Sequence, residues 1–146
     1  MVDTNEIKKT PDKLRAKDLI EMAKERLKII IPATPKETMY KFLEEYYETA
    51  VQLITALMYS EGLKTLNHIG LIQYLKKYNE FSKQEIFILD QMRKFRHGTI
   101  YYGRKESGDF FINNEEAIKR IINKLLKISE RLKWQSEKQQ KKILKK

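Results

Sequence analysis

Residues 39–58 carry an apolar side chain at every third or fourth position for about five helical turns. The members of this pattern are Met39, Phe42, Leu43, Tyr46, Tyr47, Ala50, Leu53, Ile54, Leu57 and Met58. This spacing places the side chains on one face of an α-helix, because an α-helix has about 3.6 residues per turn. The pattern predicts a helix over roughly 35–61 that is the most buried element of the fold. Gly62 is its expected C-terminal stop.

Two Thr-Pro pairs mark the expected starts of the first two helices. Thr10 is the predicted N-cap of helix one, which runs over roughly 11–31. Thr34 and Glu37 have the spacing of a capping box and are expected to open helix two. The buried stripe of helix one is predicted to consist of Leu14, Ile20, Ala23, Leu27 and Ile30.

Capping residues also predict three helices in the second half of the chain. The expected elements are a short helix over 68–78 capped by Asn67, a helix over 83–102 opened by Ser82 and Glu85, and a helix that begins near Asn114 after a cap at Asn113. Continuation of the last helix into the C-terminal tail stays open at this point.

The predicted fold class is all-α. Only five glycines and three prolines occur in 146 residues, and they lie at the expected ends of elements, which favours long helices over a strand-rich fold. Short links between five helices indicate an antiparallel bundle of four long helices and one short helix. The expected organisation is a flexible N-terminus at 1–10, one helical domain at 11–130, and a basic helix extension or tail at 131–146.

Composition argues against a membrane protein and against a metal enzyme. The most apolar run, residues 50–59, is interrupted by Gln52 and Thr55 and is about half as long as a bilayer span. The first ten residues are polar and the chain has no cysteine, so a cytoplasmic location is expected. Two histidines without paired ligand spacing predict no metal site, and no cofactor is expected.

The net charge of +10 is concentrated at the C-terminal end. Residues 131–146 hold seven Lys or Arg side chains against Glu137, which gives +6 and leaves +4 for the rest of the chain. A strongly basic chain favours polyanionic partners such as nucleic acid, because binding releases counterions.

The segment RKFRHGTIYYGRK, residues 93–105, is the candidate site. It contains five Arg or Lys residues, one histidine and two tyrosines, and no carboxylate. Helical spacing predicts a core stripe of Ile88, Met92, Phe95, Thr99 and Tyr102, and a second stripe of Arg93, Arg96, His97, Ile100 and Tyr101. Tyr101 is therefore expected to point outward and Tyr102 inward. The competing interpretation is an ordinary solvated basic face.

Gly98 lies within this predicted helix, where a glycine costs about 1 kcal/mol relative to alanine. Its presence indicates close approach by a backbone, a ligand or a second subunit. The alternative is that the helix ends at Gly98.

The segment MRKFRHGTIYYG resembles the motif of the HEPN domain superfamily, a group of small α-helical bundles. Arg96 matches the arginine of that motif, His97 stands at the usual asparagine position, and Tyr101 occupies the position of the histidine. Residues 35–128 share the helix pattern of these domains. The resemblance implies an RNA- or nucleotide-binding homodimer, which in some relatives pairs with a minimal nucleotidyltransferase.

The resemblance also implies roles for individual residues. In an active, metal-independent ribonuclease of toxin or defence type, His97 would move a proton while Arg93 and Arg96 hold the phosphate, with Tyr101 beside them. As a binding site, the surface would comprise Arg93, Lys94, Arg96, His97, Tyr101, Arg104 and Lys105. Binding is the leading hypothesis, and RNA cleavage or docking of a nucleotidyltransferase are the alternatives.

Two other polar features lie outside this segment. His68 follows the predicted cap Asn67, where it either packs locally or joins the site. The acidic residues Glu44, Glu45 and Glu48 are expected to form a solvated side of helix two.

Overall fold

The computed structural model describes the backbone of residues 6–144 and the side chains of residues 7–132. The elements are β1 (Glu6–Lys8), α1 (Lys13–Glu25), a π-helical segment (Arg26–Ile30), α2 (Met39–Ser60), β2 (Leu63–Thr65), α3 (His68–Leu75), α4 (Lys83–Tyr102) and α5 (Ser107–Leu144). The protein is a mostly α-helical bundle, so the predicted class is confirmed. The predicted count of four long helices and one short helix is not matched, since α1 has 13 residues and a small sheet is present.

Helix α2 lies at the centre of the bundle and contacts α1, α3, α4 and α5. Ten of its side chains are buried, including Leu43, Tyr47 and Leu53, as its apolar spacing predicts. The predicted start is wrong, because α2 begins at Met39. The Thr34 hydroxyl donates to the Ile30 carbonyl at 3.0 Å, so this side chain closes the preceding segment instead of opening α2.

Helix α1 differs from its prediction at both ends. Its N-cap is Asp12, whose carboxylate accepts a hydrogen bond from the Arg15 backbone N–H at 2.9 Å, and the predicted cap Thr10 lies before it. Leu14 is 71% exposed because it lies on the side of α1 opposite the buried Ala16 and Ala23. At the other end, the wider π-helical turn shifts the buried position to Ile31, and Ile30 is exposed.

A two-stranded antiparallel sheet joins the start of the chain to the link between α2 and α3. Ile7 of β1 lies opposite Lys64 of β2. Gly62 follows α2 with φ of 76°, and a Cβ atom there would lie 2.2 Å from the Lys9 carbonyl oxygen. The predicted stop at Gly62 is confirmed, and glycine is required both by the left-handed backbone and by the close approach of Lys9. The sequence pattern predicts no strand, and β1 lies within the segment expected to be flexible.

The predicted caps of α3 and α4 are confirmed. The Asn67 side chain accepts from the Gly70 backbone N–H at 2.9 Å, and Ser82 and Glu85 form a complete capping box. Helix α3 ends at Leu75, earlier than its predicted end at residue 78.

Helix α5 begins at Ser107 rather than near Asn114, and Asn114 is a break within it, with φ of −126° and ψ of 15°. The helix starts earlier because two aromatic side chains before Asn114 pack against the other helices. Phe110 stacks on Phe95 with ring centroids 4.7 Å apart, and Phe111 stacks on Tyr46 at 5.5 Å. Within the described part of the chain, no helix is both long enough and apolar enough to cross a bilayer.

Candidate functional site

The two arginines of the predicted site are both paired with carboxylates. Arg93 donates from Nε to Oδ1 of Asp90 at 3.0 Å within α4. Arg96 pairs with Glu48 of α2, with 2.6 Å between its terminal nitrogen and Oε1. An anionic ligand at Arg93 or Arg96 would therefore have to compete with these carboxylates.

The acidic run of α2 is likewise engaged by other elements. Glu48 pairs with Arg96, and Glu45 pairs with Arg26 of the π-helical segment. Glu44 pairs with Lys41 within α2 at 3.4 Å. The expected solvated acidic face is thus wrong for Glu45 and Glu48, since each connects α2 to a segment distant in sequence.

His68 packs against Tyr47, whose ring also lies near Arg96. Its Nδ1 lies 2.9 Å from the hydroxyl oxygen of the buried Tyr47, and the Arg96 guanidinium lies 5.7 Å from the Tyr47 ring centroid. Burial lowers the pKa of His68, and the positive charge of Arg96 lowers it further, against the opposing effect of Glu48. The lowered pKa favours the neutral form of His68.

The exposed end of α4 carries the remaining site residues. We define the basic aromatic patch as Lys94, His97, Tyr101, Tyr102, Arg104 and Lys105. Tyr101 and Tyr102 are 69% and 66% exposed. The outward prediction for Tyr101 is confirmed, and the inward prediction for Tyr102 is wrong. The core beside this end of α4 is already filled by the Phe95–Phe110 stack, and the last turn therefore extends into solvent.

The aromatic rings of the patch lie close to its cationic groups. The Arg104 guanidinium is 5.3 Å from the Tyr102 ring centroid, and the His97 and Tyr101 centroids are 4.6 Å apart. Neither Arg104 nor Lys105 forms a salt bridge with any side chain of residues 7–132. These cations are consequently available to an anion from solution, unlike Arg93 and Arg96.

A hollow of about 240 Å³ opens beside Gly98. Its lining consists of Gln91, Lys94, Phe95, Gly98, Arg104 and Glu106. A Cβ atom on Gly98 would meet the Arg104 side chain at an ordinary 3.6 Å, so no described backbone requires a glycine there. The helix-end interpretation of Gly98 is wrong, because α4 continues to Tyr102.

The arrangement of the patch suits binding of an anion next to a flat aromatic ring. Arg104 supplies positive charge at the hollow, where Lys94 is already paired with Asp90 at 3.6 Å, and the tyrosines supply exposed ring faces. Among the described residues, no group of three His, Asp or Glu side chains converges to hold a metal ion. The sequence pattern predicts burial for Tyr102, and it does not indicate the contacts of Tyr47 with His68 or of Glu48 with Arg96, because these depend on how the helices pack.

The match to the HEPN motif stays a prediction for residues 35–128. Comparison with protein-family models, with curated proteins and with solved structures finds no match for this chain.

Proposed function

We propose that this protein binds single-stranded RNA, or a nucleotide that presents the same phosphate and base, through the basic aromatic patch. The observation that carries the proposal is the exposure of Tyr101 and Tyr102 beside Arg104 and Lys105, two cations that lack carboxylate partners among the described residues. An exposed tyrosine next to arginine is a suitable platform for an unpaired base. The resemblance to HEPN domains supports RNA over other polyanions.

In this proposal, Arg104 binds a phosphate at the hollow over Gly98, and Lys105 binds the neighbouring phosphate. The guanidinium offers paired N–H donors and lysine adds a mobile point charge. Tyr102 follows Gly98 by one helical turn and lies under Arg104, so a base attached to that phosphate reaches its ring. Tyr101 points about 100° away and serves a different base.

In this arrangement, Arg93 and Arg96 pair with carboxylates of the protein and do not contact the RNA. Arg96 holds α4 against α2 through Glu48, and Arg93 is retained by Asp90. This assignment predicts that loss of either arginine affects stability more than the salt dependence of RNA binding.

The test is fluorescence anisotropy with a labelled single-stranded RNA at several salt concentrations. Arg104→Ala/Lys105→Ala should reduce the slope of log K against log salt by about 1.4, because each phosphate contact on a single strand contributes about 0.7. The matched control is Lys36→Ala/Lys127→Ala, which removes the same charge from exposed positions on other segments. An equal loss of slope in both variants would show general charge attraction and would contradict a localised site.

A second pair of variants tests the aromatic half of the proposal. Tyr101→Ala/Tyr102→Ala should weaken RNA binding by about 1–3 kcal/mol for each base that loses its stack, whereas Tyr101→Phe/Tyr102→Phe should retain affinity. Titration with a mononucleotide then distinguishes a nucleotide site from an RNA site, because a nucleotide site binds the mononucleotide as tightly as it binds the RNA oligomer. Full affinity in the double alanine variant would contradict stacking.

Metal-independent RNA cleavage is the second candidate, and the position of His68 favours it. A neutral histidine near Arg96 has the groups needed to remove the ribose 2′-hydroxyl proton and to stabilise charge on the phosphorus oxygens. The oxygen then attacks phosphorus, the 5′-oxygen leaves with a proton, and a 2′,3′-cyclic phosphate forms. Cleavage in EDTA that is lost in His68→Ala, or in His97→Ala, would support an enzyme; intact RNA at micromolar protein would contradict one.

A further inference from the structure

An apolar groove with a basic rim runs between α3 and α4 and shares Lys94 with the basic aromatic patch. Its volume is about 690 Å³. Ile69 on α3 and Phe87 on α4 line it and are exposed, Phe87 by 56%. Exposed apolar side chains that face each other across a groove are typical of a docking surface.

The charges around this groove select an acidic occupant. Lys76, Lys83, Arg93 and Lys94 lie on its walls, whereas Asp90 is the carboxylate in its lining. Asp90 is already shared by Arg93 and Lys94. Lys76 and Lys83 form no salt bridge with any described side chain. The groove therefore suits a helix that presents apolar and acidic side chains on one face.

The outer face of α1 and of the π-helical segment has this composition. Its members are Leu14, Asp18, Met22, Glu25 and Ile29, at steps of four, four, three and four residues. All five side chains are exposed. Such steps place the members of α1 on one line along the helix, and we call the set the acidic apolar stripe. Neither Asp18 nor Glu25 has a salt-bridge partner among the described side chains.

We propose that the acidic apolar stripe of one copy of this chain docks into the α3–α4 groove of a second copy. Leu14 and Met22 would cover Ile69 and Phe87, while Asp18 and Glu25 approach Lys76 and Lys83. The stretch of α4 from Lys83 to Lys94 spans about 16 Å, and the stretch from Asp18 to Glu25 about 10 Å, so both acidic residues fit within the groove. Each copy carries both surfaces, and the contact either closes into a reciprocal pair or continues from copy to copy.

Charge reversal tests the contact by sedimentation velocity on the full chain at low salt. Lys76→Glu/Lys83→Glu reverses the groove, and Asp18→Lys/Glu25→Lys reverses the stripe. The dissociation constant for self-association should be at least about tenfold higher for each variant alone than for the parent, because like charges then face each other. All four positions are exposed, so folding should be retained and is checked by circular dichroism.

Mixing the two variants is the decisive arm of the experiment. The native stripe of the first fits the native groove of the second, and the two reversed surfaces also carry opposite charges. The two variants should therefore associate with each other in one-to-one proportion, and a chain with all four substitutions should associate with itself again. The control Lys36→Glu/Lys127→Glu should associate like the parent.

Three outcomes would overturn this proposal. One is a parent chain that stays monomeric up to the highest concentration tested. Another is association that neither reversal weakens, which would place the contact elsewhere. The third is a mixture that stays monomeric. RNA is absent from every arm and the patch residues are unchanged, so these results are independent of the proposed RNA binding.

Discussion

Glu85 is a buried carboxylate at the start of α4, with its side chain only 3% exposed. Its oxygens accept hydrogen bonds from the Ser82 backbone N–H at 2.9 Å, from Lys124 Nζ at 2.7 Å and from Arg120 Nε at 3.1 Å. Burial alone would raise the pKa of Glu85, but these donors outweigh burial and lower the pKa to about 2. One residue thus connects the cap of α4 to α5.

Replacing Glu85 with glutamine should remove this charge while keeping the capping-box geometry. The folded carboxylate has the lower pKa, so its stabilisation is present above pH 4.5 and is lost as pH falls toward 2. We expect Glu85→Gln to cost about 3 kcal/mol at pH 7 and almost nothing at pH 2. Urea unfolding of both proteins across this range measures the difference. A difference that does not change with pH would contradict the assignment.

Two glycines should respond oppositely to substitution by alanine. Gly98→Ala should stabilise the fold by about 0.4–1 kcal/mol, because the position is helical and the added Cβ meets only the Arg104 side chain at 3.6 Å. Gly62→Ala should destabilise by more than about 1 kcal/mol, since its Cβ would meet the Lys9 carbonyl. Chemical denaturation measures both. If Gly98→Ala also weakens RNA binding without loss of stability, the ligand approaches the hollow.

At the scale of elements, the acidic run of α2 connects three segments. Glu45 pairs with Arg26 of the π-helical segment, and Glu48 pairs with Arg96 of α4. The side chains of Arg96 and Glu48 are 27% and 31% exposed, so water screens their attraction only in part. The Nε atom of Arg96 is buried and has no partner within the described structure, which adds a cost to this contact.

A double-mutant cycle with Arg96→Met and Glu48→Gln should measure the strength of this connection. We expect a coupling free energy of about 1 kcal/mol, because the pair is partly buried and joins two helices. The control cycle uses Lys119 and Glu115, an exposed pair within α5 at 3.0 Å, for which about 0.3–0.5 kcal/mol is expected. Equal couplings in the two cycles would show that Arg96 does not hold α4 on α2.

At the scale of the whole molecule, positive charge comes from two regions, the basic aromatic patch and the C-terminal residues. The basic aromatic patch has a defined arrangement of rings and cations on α4 and the loop after it. Residues 133–146 contain six lysines and one glutamate, and their side chains lie outside the described part of the structure. Positive charge in either region favours a polyanionic ligand, because binding releases counterions.

A chain that ends at residue 132 should separate these contributions. The truncation lowers the formal net charge from +10 to +5. We expect weaker RNA binding and a smaller salt slope, because fewer counterions are released. Arg104→Ala/Lys105→Ala should reduce RNA affinity by the same factor in the full chain and in the shortened chain. Anisotropy measures both losses, and a patch effect that vanishes in the shortened chain would assign the binding to the tail.

The sequence by itself determined the features that depend on neighbouring residues. The buried face of α2, the caps at Asn67 and Ser82 and the stop at Gly62 all follow from periodicity or from bonds spanning a few positions. Local backbone geometry is enough to specify such features, and these predictions are confirmed.

Only the tertiary structure decided which groups meet across the bundle. Glu48 reaches Arg96, Tyr47 reaches His68, and β1 pairs with β2 between segments far apart in the chain. Tyr102 is exposed because other rings already fill the core beside it, although its helical spacing predicts burial. Helical periodicity specifies the direction of a side chain around its own helix. Whether another element covers that side chain depends on how the helices pack.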